Sequence, residues 1–384
     1  MKRIIFIVLI ASLLLSCKSQ STSPDNNTSD GGASSGGDNN TETPEPPPFI
    51  ISEEAKKYGI DINTATSETI KTALNKYYND KTEYKIIFTN TSTRSYDKYT
   101  NLGTIINEIK DINNITVSFE NVQFQNNKLP DYILGGDSSA NRNITKVILP
   151  DYITIIGQKV FFNCYVLAEV NMPKKLQEIG ISVFYNTKVK NIDLPDGLKI
   201  INDRAFKISI IENIDIPDSV TSIGEAIFDS CKQLQTFKLP KNFNVIPKSA
   251  FASCSALKTI TIQESITSIE DSAFYACTGA ENFVFEGENP KLTTIGDSAF
   301  GWCSKLATIT IPASVKTIKD LAFYTCPLLT SITFLSETPP SMNGSRIFES
   351  TPLKTINVPK GSKDAYEALK GKHSISKDVV INEI

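Results

Sequence analysis

The chain predicts an α/β-type solenoid, with short parallel strands and minimal helical turns, preceded by a small α/β N-terminal cap. Three observations carry this. Phenylalanine returns at Phe161, Phe184, Phe206, Phe228, Phe251, Phe274, Phe300, Phe323 and Phe348, with gaps of 23, 22, 22, 23, 23, 26, 23 and 25 residues. Such spacing marks units too small to bury their own apolar face, which they bury against their neighbours instead. Apolar and polar residues alternate ahead of each phenylalanine and end at a proline, as in Ile214-Asp215-Ile216-Pro217. A small, weakly polar residue follows three positions after it.

The elements follow in chain order. Met1 to Arg3 form a cationic head, and an apolar-dominated run extends from Ile4 to Leu15. That run is too short to cross a ~30 Å hydrocarbon layer as a stable helix and matches the core of an export signal. It ends in Leu14-Leu15-Ser16-Cys17, which resembles a bacterial lipobox. The resemblance implies a lipoprotein signal peptide over 1–16, cleavage after Ser16, and lipid on Cys17, making membrane lipid a partner. Leu15 departs from the commonest pattern, which has a smaller residue there. An ordinary signal peptide or uncleaved anchor with a nearby cysteine is the other reading.

Residues 17–49 are nearly all Ser, Thr, Asn, Asp, Glu, Gly and Pro. With no apolar cluster to nucleate a core, they predict a disordered tether. Residues 50–143 lack the repeat. Ile70, Ala73, Leu74 and Tyr77 share one face of a helix capped by Thr66 or Ser67. Tyr84 to Phe88 is β-prone, Ile105, Ile106 and Ile109 mark a second short helix, and Ile115, Val117 and Phe119 alternate as a strand. A cap over the first coil and an independent binding module both fit this segment.

The solenoid is expected over 144–358. In its units the proline stops the first strand, because it removes a ladder donor. Val220 and Ile223 then start a second extended piece, Gly224 turns the corner, and Glu225 to Phe228 can form at most one helical turn. Extra residues around Glu288-Asn289-Pro290 and Glu337-Thr338-Pro339 are expected as loops on one face. Residues 359–384 read as a C-terminal cap, with Ala365, Tyr366 and Leu369 on one side of a short helix.

Six of the seven cysteines, Cys164, Cys231, Cys254, Cys277, Cys303 and Cys326, lie three residues after a column phenylalanine. Thr187, Ser209 and Thr351 hold the same place in other units, so a ladder of buried thiols is expected rather than disulfides. No metal site and no cofactor are expected, since no Cys-x-x-Cys pair exists and His373 is the only histidine. A single histidine in the C-terminal segment also argues against nucleophile-base catalysis, so no catalytic residue is assigned and the chain reads as a non-enzyme. A net charge of −3 argues against nucleic acid as a partner.

If the protein recognises a partner, the outward columns of the first strands form the obvious surface. One runs Lys146, Glu169, Asn191, Asn213, Thr236, Thr259, Asn282, Thr308, Ser331 and Thr355. The other runs Ile148, Asn171, Asp193, Asp215, Lys238, Thr261, Val284, Thr310, Thr333 and Asn357. Aromatics sit beside the column phenylalanines instead, and among them Trp302 is a candidate contact anchor; packing on its own coil edge is the other reading.

The segments Ile216-Pro217-Asp218-Ser219-Val220-Thr221-Ser222-Ile223-Gly224 and Asp271-Ser272-Ala273-Phe274-Tyr275-Ala276-Cys277 resemble the BspA-like bacterial surface-antigen subclass of leucine-rich repeats. Thr187 and Ser209 depart from its cysteine and Gln263 from its proline. Pro359-Lys360-Gly361-Ser362 followed by Ala365-Tyr366 is similar to that family's C-terminal cap. The resemblance implies a leucine-rich-repeat solenoid that is exported, lipid-anchored to a bacterial membrane, and placed at the outer membrane or cell surface. It also implies adhesion to a host or bacterial surface protein or glycan. A structural envelope lipoprotein without a host ligand is the alternative, and the oligomeric state is left open.

Overall fold

The computed structural model describes residues 50–136 and 143–384. The expected signal peptide, the Cys17 lipidation site and the 17–49 tether lie outside the described residues. The chain opens with α1 (Glu53–Tyr58), whose first turn is capped by the Ser52 hydroxyl accepting from the Ala55 N–H at 3.1 Å. A short strand, β1 (Ile60–Asp61), leads into α2 (Ser67–Lys81). On α2 the predicted face of Ile70, Ala73, Leu74 and Tyr77 is buried. Thr66 is its cap, and the Thr69 hydroxyl reciprocates by accepting from the Thr66 N–H, so two otherwise orphaned donors are satisfied.

Strand β2 (Lys85–Thr91), helix α3 (Leu102–Asn107) and strands β3 (Ile115–Gln123) and β4 (Lys128–Leu129) follow. The sheet then runs β1-β2-β3-β5, with β5 (Ile144–Ile148) pairing onward to Glu169–Val170, all parallel. The N-terminal strands therefore extend the first-strand sheet of the solenoid. The run from Ile86 to Phe88 is wholly buried, as a parallel strand covered on both faces requires.

Every coil but the one through residues 191–193, which form no paired strand, contributes a first strand, a two- or three-residue second strand, and a tight turn around the column phenylalanine. The turns form no helix. Around Phe206, the N–H groups of Arg204, Phe206 and Ile208 donate to the carbonyls of Glu225, Ile227 and Asp229 in the next coil, at 2.9, 3.0 and 2.9 Å. Around Phe251, those of Ser249, Phe251 and Ser253 reach Asp271, Ala273 and Tyr275 at 3.0, 2.9 and 2.7 Å. Aiming three donors along the stack needs left-handed backbone two residues before and after the phenylalanine, as at Arg204 (φ 56°) and Ile208 (φ 62°). A β-branched residue there costs roughly 1–2 kcal/mol, which the shared ladder offsets.

The same three rungs occur one coil earlier. Tyr132, Leu134 and Gly136 donate to Gln158, Val160 and Phe162 at 3.0, 3.3 and 3.3 Å, and Tyr132 has φ 59°. Leu134 thus stands where later coils have phenylalanine. Coil geometry consequently begins N-terminal to residue 144, where the phenylalanine spacing first reveals it.

The column phenylalanines are buried and stack ring on ring at 5.3 to 6.0 Å. The widest step, Phe274 to Phe300, spans the 26-residue unit. Phe283 packs edge-on against both of those rings, at 5.4 and 4.6 Å. At the C-terminus, α4 (Lys363–Glu367) buries Tyr366, whose hydroxyl donates to the Ser336 carbonyl at 2.9 Å. The chain then adds Val380–Glu383 parallel to Thr355–Val358, a closing strand that the sequence pattern does not announce.

Candidate binding surface

Strand registry lines up the outward side chains of the first-strand sheet. Thr259 faces Asn282 and Thr261 faces Val284. Farther along, Thr308, Ser331, Thr355 and Val380 make one row, and Thr310, Thr333, Asn357 and Asn382 make the next. The alternate residues Ile260, Phe283, Ile309, Ile332, Ile356 and Ile381 point into the core. The rows are fixed by period-two alternation on strands stacked at ~4.8 Å.

Several of these polar groups satisfy one another. The Thr236 hydroxyl donates to Asn213 Oδ1 at 2.6 Å, and Asn357 Nδ2 donates to Ser331 Oγ and Thr333 Oγ1, both at 3.2 Å. Asn382 Nδ2 reaches Asn357 Oδ1 at 3.3 Å. Their rotamers are set before any partner arrives. Toward the N-terminus the face is charged, with Lys146–Glu169 at 2.8 Å, and a Lys190–Glu212 pair at 2.9 Å lies at the strand starts beside it. On the same face Asn171 takes over from the backbone, accepting from the Leu149 N–H at 2.7 Å and donating to its carbonyl at 2.9 Å.

Trp302 lies on a different edge, at the second left-handed position of its turn (φ 62°). Its backbone N–H donates to the Tyr324 carbonyl at 2.8 Å, while the residue is 42% exposed and its ring meets the Tyr324 ring edge-on at 6.3 Å. The backbone is locked and the indole remains partly open. A side chain at neighbouring Gly301 would crowd the Tyr275 ring, at 3.2 Å, so the edge holds three aromatics around a glycine.

The six repeat cysteines are free and buried. Their thiols donate backward along the stack, as Cys231 to Phe206 O at 3.0 Å, Cys254 to Phe228 O at 3.2 Å, Cys277 to Phe251 O at 3.1 Å and Cys326 to Phe300 O at 3.2 Å. Cys303 and Cys164 do the same toward Phe274 and Leu134 at 3.5 and 3.8 Å, and the Thr351 hydroxyl reaches Phe323 O at 2.6 Å. The slot therefore takes a small side chain with a donor. Burial pushes the thiols of Cys164, Cys231, Cys277 and Cys326 up to about 12, and those of Cys254 and Cys303 well above the ordinary range. None of them is an activated nucleophile.

His373 accepts the N–H of Phe348 at its carbonyl, at 3.1 Å, and its ring Nδ1 meets the Gly344 carbonyl, so it closes the last coil. Conspicuous aspartates are also structural. Asp203, Asp271 and Asp320 accept the N–H groups of Glu225, Asp297 and Arg346 at 2.9, 2.8 and 2.9 Å. Burial pushes the Asp271 carboxyl up, but the Asp297 N–H and the Lys319 ammonium outweigh it and hold the group below its ordinary value. Among the described residues, no group of three His, Cys, Asp or Glu side chains is placed to hold a metal ion, and no helix is long and apolar enough to cross a membrane.

A sequence profile described as the BspA type leucine rich repeat region, in 6 copies, matches residues 133–258 and 244–369. Its start coincides with the coil of Leu134. Among solved structures, the chain is similar to a leucine-rich repeat protein from Bacteroides ovatus, at 26% identity and a TM-score of 0.56, over 67% of this chain and 63% of that one. The chain thus spans less than two thirds of the Bacteroides protein. It is also similar to a leucine rich cell surface protein from Faecalibacterium prausnitzii (22% identity, TM-score 0.40, 77% of this chain and 86% of that one). A leucine-rich repeat protein from Eubacterium ventriosum shows 18% identity and a TM-score of 0.49, over 77% and 78% of the two chains. No curated protein matches the chain.

Proposed function

The chain belongs to the BspA-type leucine-rich repeat family, and from that premise we propose that it is a membrane-anchored, extracytoplasmic scaffold for protein binding or adhesion. The observation that carries the reading is the hydroxyl- and amide-rich face of the first strands from Asn213 to Asn382. At its two ends, Asn213 with Thr236 and Ser331 through Asn382, side chains bond to one another across strands, so there a partner meets groups already ordered and loses less freedom on docking. Parallel rows at ~4.8 Å suit an extended partner, a surface polypeptide or a glycan chain of host or bacterial origin. The lipid on Cys17 is the anchor, and residues 17–49 hold the coils away from the bilayer; two or more acyl chains give stable attachment at about 0.8 kcal/mol per buried CH₂.

The test has two arms. Cells labelled with a fatty acid should incorporate it into the full chain and not into Cys17→Ala, and protease added to intact cells should remove the solenoid. Purified full chain in detergent should retain a component from a panel of matrix proteins, glycans and envelope extract. Absence of label overturns the anchor, protection from protease overturns surface display, and an empty panel overturns the adhesion role.

A further inference from the structure

Away from the hydroxyl face, the loop after β2 and the corner after β3 enclose a cleft of about 340 Å³. Its floor and walls include Ser92, Arg94, Tyr96, Phe124, Lys128 and Asp131. The loop is held from outside, since the Ser92 N–H donates to the Gln123 carbonyl at 2.9 Å and the Thr93 N–H to Asn63 Oδ1 at 2.8 Å.

What distinguishes the cleft is unmet hydrogen-bonding capacity. Ser92 is 5% exposed, and neither its hydroxyl nor that of Tyr96 has a hydrogen-bond partner among the described residues. Burial raises the Tyr96 pKa and the neighbouring Ser92 hydroxyl and Arg94 guanidinium lower it in part, so the two hydroxyls are polar neighbours although no bond of ordinary geometry joins them. Buried hydroxyls left unpaired are costly, so such a pair marks a place built to receive something. Beside them, the Arg94 guanidinium has one hydrogen bond, to the Ala65 carbonyl at 3.3 Å, and stands 5.9 Å from the Tyr96 ring. No carboxylate pairs with it among the described residues.

The remaining charges are already committed. Lys128 pairs with Asp131 at 2.8 Å, and Asp131 also accepts from the Gln158 N–H and Nε2 at 3.2 and 3.1 Å. Two cations against one carboxylate leave the lining with one net positive charge. The volume is at the small end of ligand pockets, and Phe124 is almost wholly buried, so little apolar surface is on offer. We infer that this cleft binds a small polyhydroxylated carboxylate of the uronic-acid type, with Arg94 holding the carboxylate and the Ser92 and Tyr96 hydroxyls bonding to sugar hydroxyls.

The experiment is titration of the full chain in detergent with glucuronate, glucose, acetate and inorganic phosphate, followed by calorimetry or ligand-observed NMR. Glucuronate should bind, glucose at least about tenfold more weakly, and Arg94→Gln should lose about tenfold, the scale of one charge-assisted hydrogen bond. Ser92→Ala and Tyr96→Phe should each weaken glucuronate several-fold while leaving the melting temperature unchanged or raised, because they remove groups unpaired in the free protein. That opposition separates binding from folding. Equal binding of glucose overturns the carboxylate assignment, and equal binding of acetate or phosphate overturns the sugar assignment. No binding by any probe leaves a water-filled cleft and overturns the proposal. Destabilisation by Tyr96→Phe shows that its hydroxyl has a structural partner and overturns the premise.

Discussion

Replacing Phe251 by alanine perturbs the middle of the stack, where one ring is shared by the coils on both sides. The ring is fully buried and meets Phe228 at 5.5 Å, Phe274 at 5.4 Å and Phe237 at 4.0 Å. Truncating a buried phenylalanine costs about 3–5 kcal/mol through lost transfer free energy and the cavity left behind. Three aromatic partners, each contributing about 0.5–1.5 kcal/mol beyond burial, place this site at the upper end, about 5 kcal/mol. Because a solenoid's stability is carried by nearest-neighbour interfaces, the loss falls on both adjoining coils. Hydrogen exchange resolved by coil, beside chemical denaturation, reads the effect. Protection should collapse around Phe228, Phe251 and Phe274. Phe348→Ala, whose ring stacks on the column only at Phe323 (5.4 Å), should cost about 3 kcal/mol and affect the C-terminal end. Protection and a denaturation midpoint for Phe251→Ala indistinguishable from wild type would refute the reasoning.

Other outcomes follow from the same geometry. The six repeat thiols should resist a thiol reagent at pH 8 in the native protein and react on unfolding; rapid native labelling would contradict their burial. Since folding raises these thiol pKa values from 9.0 to about 12 or beyond, the folded state holds more protons in alkali. Their contribution is therefore intact below about pH 9 and falls between about pH 9 and 12, by roughly 1.4 kcal/mol per pH unit for each thiol. An alkaline denaturation series that shows flat stability across that window would contradict it. A Cβ at Gly224 would lie 2.3 Å from the Asp203 backbone nitrogen, so Gly224→Ala should destabilise by about 1–3 kcal/mol in urea unfolding, and no change would show that the corner has room. Cys254→Ser keeps a donor for Phe228 O and should cost about 1 kcal/mol less than Cys254→Val, which loses the bond and adds bulk; the reverse order would contradict a donor slot.

The stacked architecture was legible because the phenylalanine spacing and the period-two alternation report directly on burial. Ile214 and Ile216 turn inward for the reason their alternation gives, and α2 buries the four residues that its spacing selects. The coil of Leu134 was not legible, because leucine packs the column place without announcing the motif and Tyr132 adopts the left-handed turn that other coils give to Lys, Ser, Arg, Ala or Leu. The turns around each phenylalanine were also hidden. Their conformation comes from three N–H groups reaching the next coil, a long-range demand that places Ile208 and Trp302 where local preference would not. Cysteine spacing pointed to a packing slot, and the bonds show what it accepts: Thr351 copies the thiol-to-carbonyl bond, Thr187 turns to its own coil's Phe184 carbonyl, and Ser209 pairs with the Cys231 thiol. The Arg94 cleft left no sequence signal, since Ser92 and Tyr96 belong to a loop and face Phe124 and Lys128 from a segment some thirty residues away.

The central claim, that the ordered hydroxyl face is the recognition surface, is tested most directly by changing the face alone. Thr261, Thr310 and Thr333 point outward from three of the stacked strands, so replacing all three with lysine alters its chemistry without opening the core. Retention of the full chain on an immobilised partner from the matrix, glycan or envelope panel, measured beside its melting temperature, is the decisive reading. The account predicts that the triple variant melts like wild type and loses retention by at least about tenfold, a change of about 1.4 kcal/mol. Undiminished retention with an unchanged melting temperature would contradict it.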